Sequence, residues 1–256
     1  MENTTMENTR TKTTRNSLIL LLTAAIWGMA FVSQSKGMDY MHPFTFNGVR
    51  SLIGAASILV YILISRKIAG DKAAPLDWKL NVKAGLLCGI FLTIASTLQQ
   101  FGIKYTSVGK AGFITTLYII FVPMFGIFLK KKVAPVVWAA AVMAAVGMYL
   151  LCMTESLRLG AGDIMVFLCA IAFAIQIMTV DHYAARIDGA VVSCIQFTVC
   201  GVVCCIGALI WGQPTFGQLQ EGLGALLYAG VLSCGVGYTL QIVGQKGLNP
   251  TVAALI

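Results

Sequence analysis

The sequence predicts an all-α polytopic membrane protein built of two inverted five-helix repeats, the second incomplete, and three observations predict it. Of its residues 58% are hydrophobic and only 11% charged, with a mean hydropathy of +0.83. That is more apolar surface than a single soluble core of this length can hide. Runs of about 18 to 22 residues nearly free of charge recur eight times, each long enough to cross ~30 Å of hydrocarbon as a helix. Finally, residues 97–114, TLQQFGIKYTSVGKAGFI, return in altered form at 239–256 as TLQIVGQKGLNPTVAALI.

The elements follow in order. Residues 1–16 are a polar, basic tail. Span 1, at 17–34, is retained in the membrane, since no small-residue cleavage site follows it. Span 2 covers 43–64 and opens on Pro43, a residue suited to a first helical turn. Span 3 covers 84–103. Span 4 covers 109–129 and holds Pro123, which predicts a kink. Span 5 covers 135–153, behind a run of three lysines. Span 6 covers 163–181, with Asp163 placed to cap its start. Spans 7 and 8 cover 189–210 and 222–244. No stretch alternates polar and apolar residues over the ~10 positions that a transmembrane strand needs.

The net charge of +8 follows the loops rather than any patch. On the amino-terminal side lie Arg10, Lys12, Arg15, Arg66, Lys67, Lys72, Lys79, Lys83, Lys130, Lys131, Lys132, Arg186 and Lys246. The opposite side carries Lys36, Lys104, Lys110 and Arg158, and Arg50 alone sits inside a span. This asymmetry predicts a cytoplasmic amino terminus and excludes reading the basic excess as a nucleic-acid footprint. The eight cysteines lie within or at the ends of apolar spans and form no CxxC pair, so they read as small buried residues.

At an offset of 142 the two quoted stretches agree at Thr97 and Thr239, Leu98 and Leu240, Gln99 and Gln241, Gly102 and Gly244, Lys104 and Lys246, Ala111 and Ala253, and Ile114 and Ile256. A weaker echo at offset 146 sets Arg50 against Gln196 and Trp27 against Phe173. Spans 1 to 5 are thus answered by spans 6 onward. Five is odd, so the second half lies upside down relative to the first, an arrangement that suits alternating access to a central site.

The segments AAIWGMAF (24–31), PFTFNGVRSLIGAA (43–56), YTSVGKAGFITTLYIIFVP (105–123) and GAGDIMVFLCAIAFAIQ (160–176), in this order and spacing, resemble the EamA-type transporters of the drug/metabolite transporter superfamily. The resemblance covers nearly the whole chain after the tail. It implies ten spans, with a first repeat at 17–153 and a second at 162–256, which holds spans 6 to 8 and the start of span 9. About 40 further residues are expected to complete spans 9 and 10. It also implies a secondary transporter of the inner or plasma membrane, exporting small polar metabolites such as amino acids or amines, without a cofactor. The sequence names neither the substrate nor the coupling ion, and association as a homodimer is left open.

Polar residues inside spans are the candidate substrate ligands, because each is costly in lipid unless partnered or facing a water-filled cavity. Arg50 lies about 10 Å of helix rise below the start of span 2. Asn47, Arg50, Gly54 and Ser57 share one helical face, which could hold a carboxylate or phosphate. The other reading of Arg50 is a side chain that reaches back to the headgroups. Thr93, Thr97, Gln100 and Lys104 form a stripe on span 3, with Ser96 and Gln99 beside it. Ser233, Gly237 and Gln241 repeat that spacing on span 8, and Gln176 and Gln196 complete the set. Such groups either line a cavity for a polar or zwitterionic solute or bond helix to helix. Trp27, beside Gly28, could stack on a solute; Tyr118 and Tyr238 fit packing.

No carboxylate falls in mid-span to relay a proton; Asp163 and Asp181 mark the two ends of span 6. GAGD at 160–163 fits the GxGD of intramembrane proteases, but Asp181 lies ~27 Å along the same helix, too far for a catalytic pair. His42 and His182, on opposite sides, support neither a metal nor a serine site. The chain has no GxxxxGK[ST] loop for nucleotide-driven pumping and no filter-like segment for a channel, so the reading is a transporter and not an enzyme.

Overall fold

The computed structural model describes residues 2–70, 75–128, 135–152, 160–246, 248 and 250–256. Lys72, Lys130, Lys131, Lys132 and Arg158, part of the charge asymmetry, lie outside them. Among the described residues the chain is helical, with no strand. The helices are α1 (Glu2–Gly37), α2 (Pro43–Ala69), α3 (Trp78–Tyr105), α4 (Val108–Thr116), α5 (Tyr118–Phe128), α6 (Pro135–Cys152), α7 (Ala161–Ala184) and α8 (Gly189–Gly207). A π turn (Ala208–Gly212) extends α8. The short α9 (Phe216–Glu221) and α10 (Leu223–Leu227) precede a π segment (Tyr228–Gly237), α11 (Tyr238–Gln245) and α12 (Pro250–Leu255).

Seven stretches are long and apolar enough to cross a bilayer, namely Thr13–Gly37, Pro43–Ala69, Trp78–Tyr105, Val108–Phe128, Ala161–Ala184, Gly189–Gly212 and Leu223–Gln245. The fifth expected span is the 18-residue helix α6. The tail expected at 1–16 is itself helical from Glu2, continuous with span 1. The chain is therefore a multi-pass membrane protein. Leu18, Leu21, Leu63, Ile64, Leu209 and Trp211 are exposed on its outside, as lipid-facing side chains would be, while amides and hydroxyls are buried within.

Helix ends are fixed by local chemistry. Asp77 accepts the Leu80 N–H at 3.0 Å, which starts α3 six residues before the expected edge. His42 caps α2 by accepting the Phe44 N–H on Nδ1 at 3.3 Å. Burial, and then nearby Lys104, hold its imidazole below the usual value of 6.5, which keeps that nitrogen an acceptor. Span 4 breaks at Leu117, whose N–H bonds to the Ile114 carbonyl at 3.2 Å, nearly two turns ahead of the expected kink at Pro123.

Asp163 stands at the third position of α7 and its carboxylate accepts the Gly160 N–H at 2.9 Å, which caps the start of the helix. Its carboxylate also accepts the Thr106 hydroxyl and lies 3.9 Å from Lys110 Nζ, so it ties the α3–α4 turn to the start of α7. Asp163→Ala is expected to cost about 1–3 kcal/mol of stability, read as a lower thermal midpoint in detergent.

Between membrane helices, close packing and hydrogen bonds replace the hydrophobic drive, and small residues let backbones approach. α3 runs along α7 and α8, α2 along α8 and the π segment, and α1 along α11 and the π segment. A Cβ at Gly102 would sit 2.4 Å from Val166 Cγ2 and 2.9 Å from the Gly162 carbonyl. At Gly244 it would meet Leu20 Cγ at 2.8 Å and the Asn16 carbonyl at 3.3 Å.

The two ends of the bundle hold separate sets of contacts. At one, Asn16 Nδ2 donates to the Lys246 carbonyl at 2.7 Å, and Lys246 Nζ donates to that of Ile187 at 3.2 Å. The Asp188 N–H donates to Asn81 at 2.9 Å, and the Asp188 carboxylate faces Arg66 at 3.9 Å. The other end gathers His42, Phe44, Phe101 and Trp211 in ring contact.

Candidate functional site

Between these ends the helices line a cavity of about 490 Å³. α2 presents Asn47, Arg50 and Ser51 to it. α1 adds Thr23, Trp27 and Gln34; α3 adds Ser96 and Gln99; α7 adds Phe173 and Gln176. Ser233 and Cys234 come from the π segment, and Tyr238, Gln241 and Gln245 from α11.

Arg50 is 5% exposed. Its Nε donates to Asn47 Oδ1 at 3.0 Å, one helical turn earlier, and its guanidinium lies 5.5 Å from the centre of the Phe46 ring. The i, i+3 spacing seen in the sequence sets this pair. Asn47 Nδ2 donates to Ser96 Oγ at 3.0 Å and lies 3.2 Å from Cys204 Sγ, so one amide links α2, α3 and α8 while it orients the arginine. Among the described residues no Asp or Glu lines the cavity, and the ion pairs Arg66–Asp188 and Lys110–Asp163 lie at helix ends. Among the described residues, then, no carboxylate faces the buried Arg50 guanidinium.

Trp27 packs its ring 4.7 Å from that of Tyr238, which meets Phe197 edge-on at 4.9 Å. Gly237 makes this approach feasible, for a Cβ there would lie 2.7 Å from Trp27 Nε1. That indole nitrogen is buried without an acceptor. The side-chain carbonyls of Gln34, Gln176, Gln241 and Gln245 are likewise buried without a donor.

Of the eight residues expected to face a solute, Trp27, Asn47, Arg50, Gln176 and Gln241 come together on the cavity wall. The other three stand behind it and join helices. Thr97 Oγ1 lies 3.5 Å from Cys204 Sγ, between α3 and α8. Gln100 Nε2 donates to the Gln34 carbonyl at 3.2 Å, between α3 and α1. Gln196 accepts from Gln176 Nε2 at 3.4 Å, between α8 and α7. Ser57, on the expected α2 face, bonds back to the Gly54 carbonyl at 2.8 Å. Sequence reasoning missed Gln34, Gln245 and Thr23 as wall residues. Gln34 and Gln245 fall at the outer edge of their spans, where a polar residue reads as interfacial.

A multi-pass helical bundle around a central cavity, mostly apolar but lined by several amides and one buried cation, fits a membrane transporter. The comparisons with known proteins agree. The chain belongs to the EamA-like transporter family, whose profile matches residues 15–153 and 160–256. An uncharacterized transporter of Archaeoglobus fulgidus is 31% identical over 171 residues, covering 64% of this chain and 48% of that protein, so the match spans about half the length of the archaeal relative. The uncharacterized transporter YwfM of Bacillus subtilis is 25% identical over 244 residues, covering 94% of this chain and 80% of the relative. One crystal structure superposes with a TM-score of 0.74 at 16% identity over 94% of this chain and 83% of that one, a likeness of fold.

Proposed function

We propose that this protein is a secondary transporter that exports small polar metabolites such as amino acids or amines by alternating access to the central cavity. Trp27, Asn47, Arg50, Gln176 and Gln241 face the solute in this reading. Thr97, Gln100 and Gln196 hold the helices that carry them. The observation that carries the reading is the buried Arg50, faced by no carboxylate among the described residues, on a wall of amides and aromatic rings, inside a bundle whose outside is apolar. Polar groups this deep in a membrane protein persist where they serve a solute path.

Alternating access rests on two inverted repeats, 17–153 and 162–256, and the packing supports that division. Gly102 of α3 lies against Gly162 and Val166 of α7; Gly244 of α11 lies against Asn16 and Leu20 of α1. Gly102 and Gly244 are 142 residues apart, and Asn16 and Leu20 precede Gly162 and Val166 by 146, the same offsets as the sequence echoes. α1 and α7 run in opposite directions through the bundle, as inverted halves require. The bundle end with Asn16, Arg66 and Lys246 carries the basic excess, which supports a cytoplasmic amino terminus in the plasma membrane.

The test is counterflow of labelled amino acids and amines in proteoliposomes, with parallel bilayer recordings. Saturable flux accelerated by solute on the opposite side is expected. Unsaturable flux with single-channel currents would instead identify a channel.

A further inference from the structure

We propose that His42 makes one end of the bundle acid-sensitive: protonation removes the cap of α2 and sets a second positive charge against Lys104, so that the ends of α2 and α3 loosen together. This goes beyond the transporter reading, and its test needs no transported solute. The segment that loosens leads directly to the cavity, since Asn47 and Arg50 stand one and two turns beyond Phe44 on α2.

The geometry makes His42 a joint between three helices. It is half-buried, and its Nδ1 accepts the Phe44 N–H at 3.3 Å, a bond open only to the neutral imidazole, since both nitrogens of the cation are donors. Its ring lies 5.7 Å from that of Phe44 and meets Phe101 of α3 edge-on at 5.5 Å. Phe44 in turn meets Phe101 at 5.0 Å and stacks on Trp211 at 5.6 Å, in the π turn that extends α8. Gly212 of that turn brings backbone against the cap, for a Cβ there would lie 3.5 Å from His42 Nδ1 and 2.7 Å from Thr45 Oγ1.

The charges around the ring oppose its protonation. Among the described residues the charged group that acts on it is Lys104 of α3, one turn beyond Phe101, while Phe44 and Thr45 of α2 and Trp211 and Gly212 of the π turn carry no charge. The positive end of the α2 dipole adds to the same opposition. Burial, and then Lys104, hold the imidazole below 6.5, so the fold favours the neutral ring. The stability that the cap supplies is therefore complete above pH 6.5 and is lost as the pH falls below it.

The opposite end of the bundle is built with the reverse sign. Asp188 caps α8 as His42 caps α2, and Lys246 stands to it as Lys104 stands to His42, at the offsets of 146 and 142 residues that mark the sequence echoes. Asp188 accepts the Ala190 and Val191 N–H groups at 3.0 and 3.2 Å and faces Arg66 at 3.9 Å, while Lys246 Nζ donates to the adjoining Ile187 carbonyl at 3.2 Å. There an anionic cap sits among cations, and charge holds the end together. At the His42 end the equivalent place holds a base beside a lysine, and acid turns their contact into repulsion. Histidine is the side chain whose ordinary titration falls in this range of pH.

The experiment is hydrogen–deuterium exchange of the purified chain in detergent between about pH 7.5 and about pH 5, corrected for the intrinsic pH dependence of exchange. Protection of residues 44–50 is expected to fall about 3- to 30-fold, the range for loss of a helix cap, with a midpoint below 6.5. Protection of residues 98–105 should fall with it. His42→Asn keeps a capping acceptor that does not titrate, so it should hold the high-pH protection throughout. Lys104→Gln should keep the response and move its midpoint up toward 6.5. Protection that ignores pH, or a response that survives in His42→Asn, overturns the proposal. So does a loss confined to α2, which would be a fraying cap and not a joint opening. Should His42→Asn fail to fold, Lys104→Gln decides alone, and a midpoint that it leaves unmoved overturns the like-charge origin.

Discussion

Arg50→Gln is expected to abolish saturable flux, lowering the rate per unit of solute at least about 100-fold, while leaving the bundle folded and no less stable. The two halves of this expectation have one cause. A structural arginine inside a membrane protein is normally paired, and its removal strands a buried carboxylate, a loss of about 3–5 kcal/mol. Among the described residues Arg50 has no such partner: it touches the Asn47 amide and the face of Phe46. Holding its charge within the membrane costs about 2.5–3.5 kcal/mol on insertion scales. Glutamine removes that cost, still offers an N–H to Asn47, and removes the only full charge that the described residues place on the cavity wall. Flux in proteoliposomes and the thermal midpoint in detergent decide the matter together. Retained flux would remove Arg50 from the site. A midpoint lowered by more than about 5 °C, beyond what 1 kcal/mol moves in a chain of this size, would make it a structural residue instead.

Much of the fold is legible in the sequence because a bilayer imposes length and composition on each span, so the charge-free runs locate the helices directly. Depth within a span is legible too, which is why Arg50 and Asn47 stand out. What a single helix does not encode is which neighbour lies opposite each of its faces. Gln196 and Gln176 look alike in the sequence, yet Gln176 faces the cavity and Gln196 is its partner behind it. Asp163 reads as a cap, but Thr106 reaches it from the α3–α4 turn and Lys110 from α4, which no local pattern announces. A fixed repeat offset also fails upstream of residue 239. Gly89 meets Gln196 and Val199 of α8, while Gly230 meets Arg50 and Ile53 of α2, and these glycines are 141 residues apart rather than 142. The extra residue falls between Gly230 and Gly244, where the chain adopts the π segment, whose wider turns take up an inserted residue without breaking the helix.

Gly102→Val and Gly244→Val test the proposed correspondence of the halves through its tightest contacts. Both should destabilise, because a branched side chain at either crossing must push two helices apart, an overpacking cost of about 1–3 kcal/mol. Gly102 is expected to be the worse site. Its Cβ would lie 2.9 Å from a backbone carbonyl that cannot rotate away, whereas at Gly244 the nearest atom, 2.8 Å away, belongs to the flexible Leu20 side chain and the backbone oxygen is at 3.3 Å. Gly147 of α6 is the control. Among the described residues nothing lies within 4 Å of its Cβ direction, so Gly147→Ala should leave the fold intact and gain up to about 1 kcal/mol from helix propensity alone. Thermal midpoints and monodispersity in detergent rank the three variants. If Gly102→Val were as harmless as Gly147→Ala, α3 and α7 would not be in backbone contact there, and the matching of their crossing to that of α11 on α1 would lose its basis. If both valine variants destabilise in the expected order, each half uses the same glycine position to bring its third helix against the first helix of the other, which leaves the cavity between two equivalent seams.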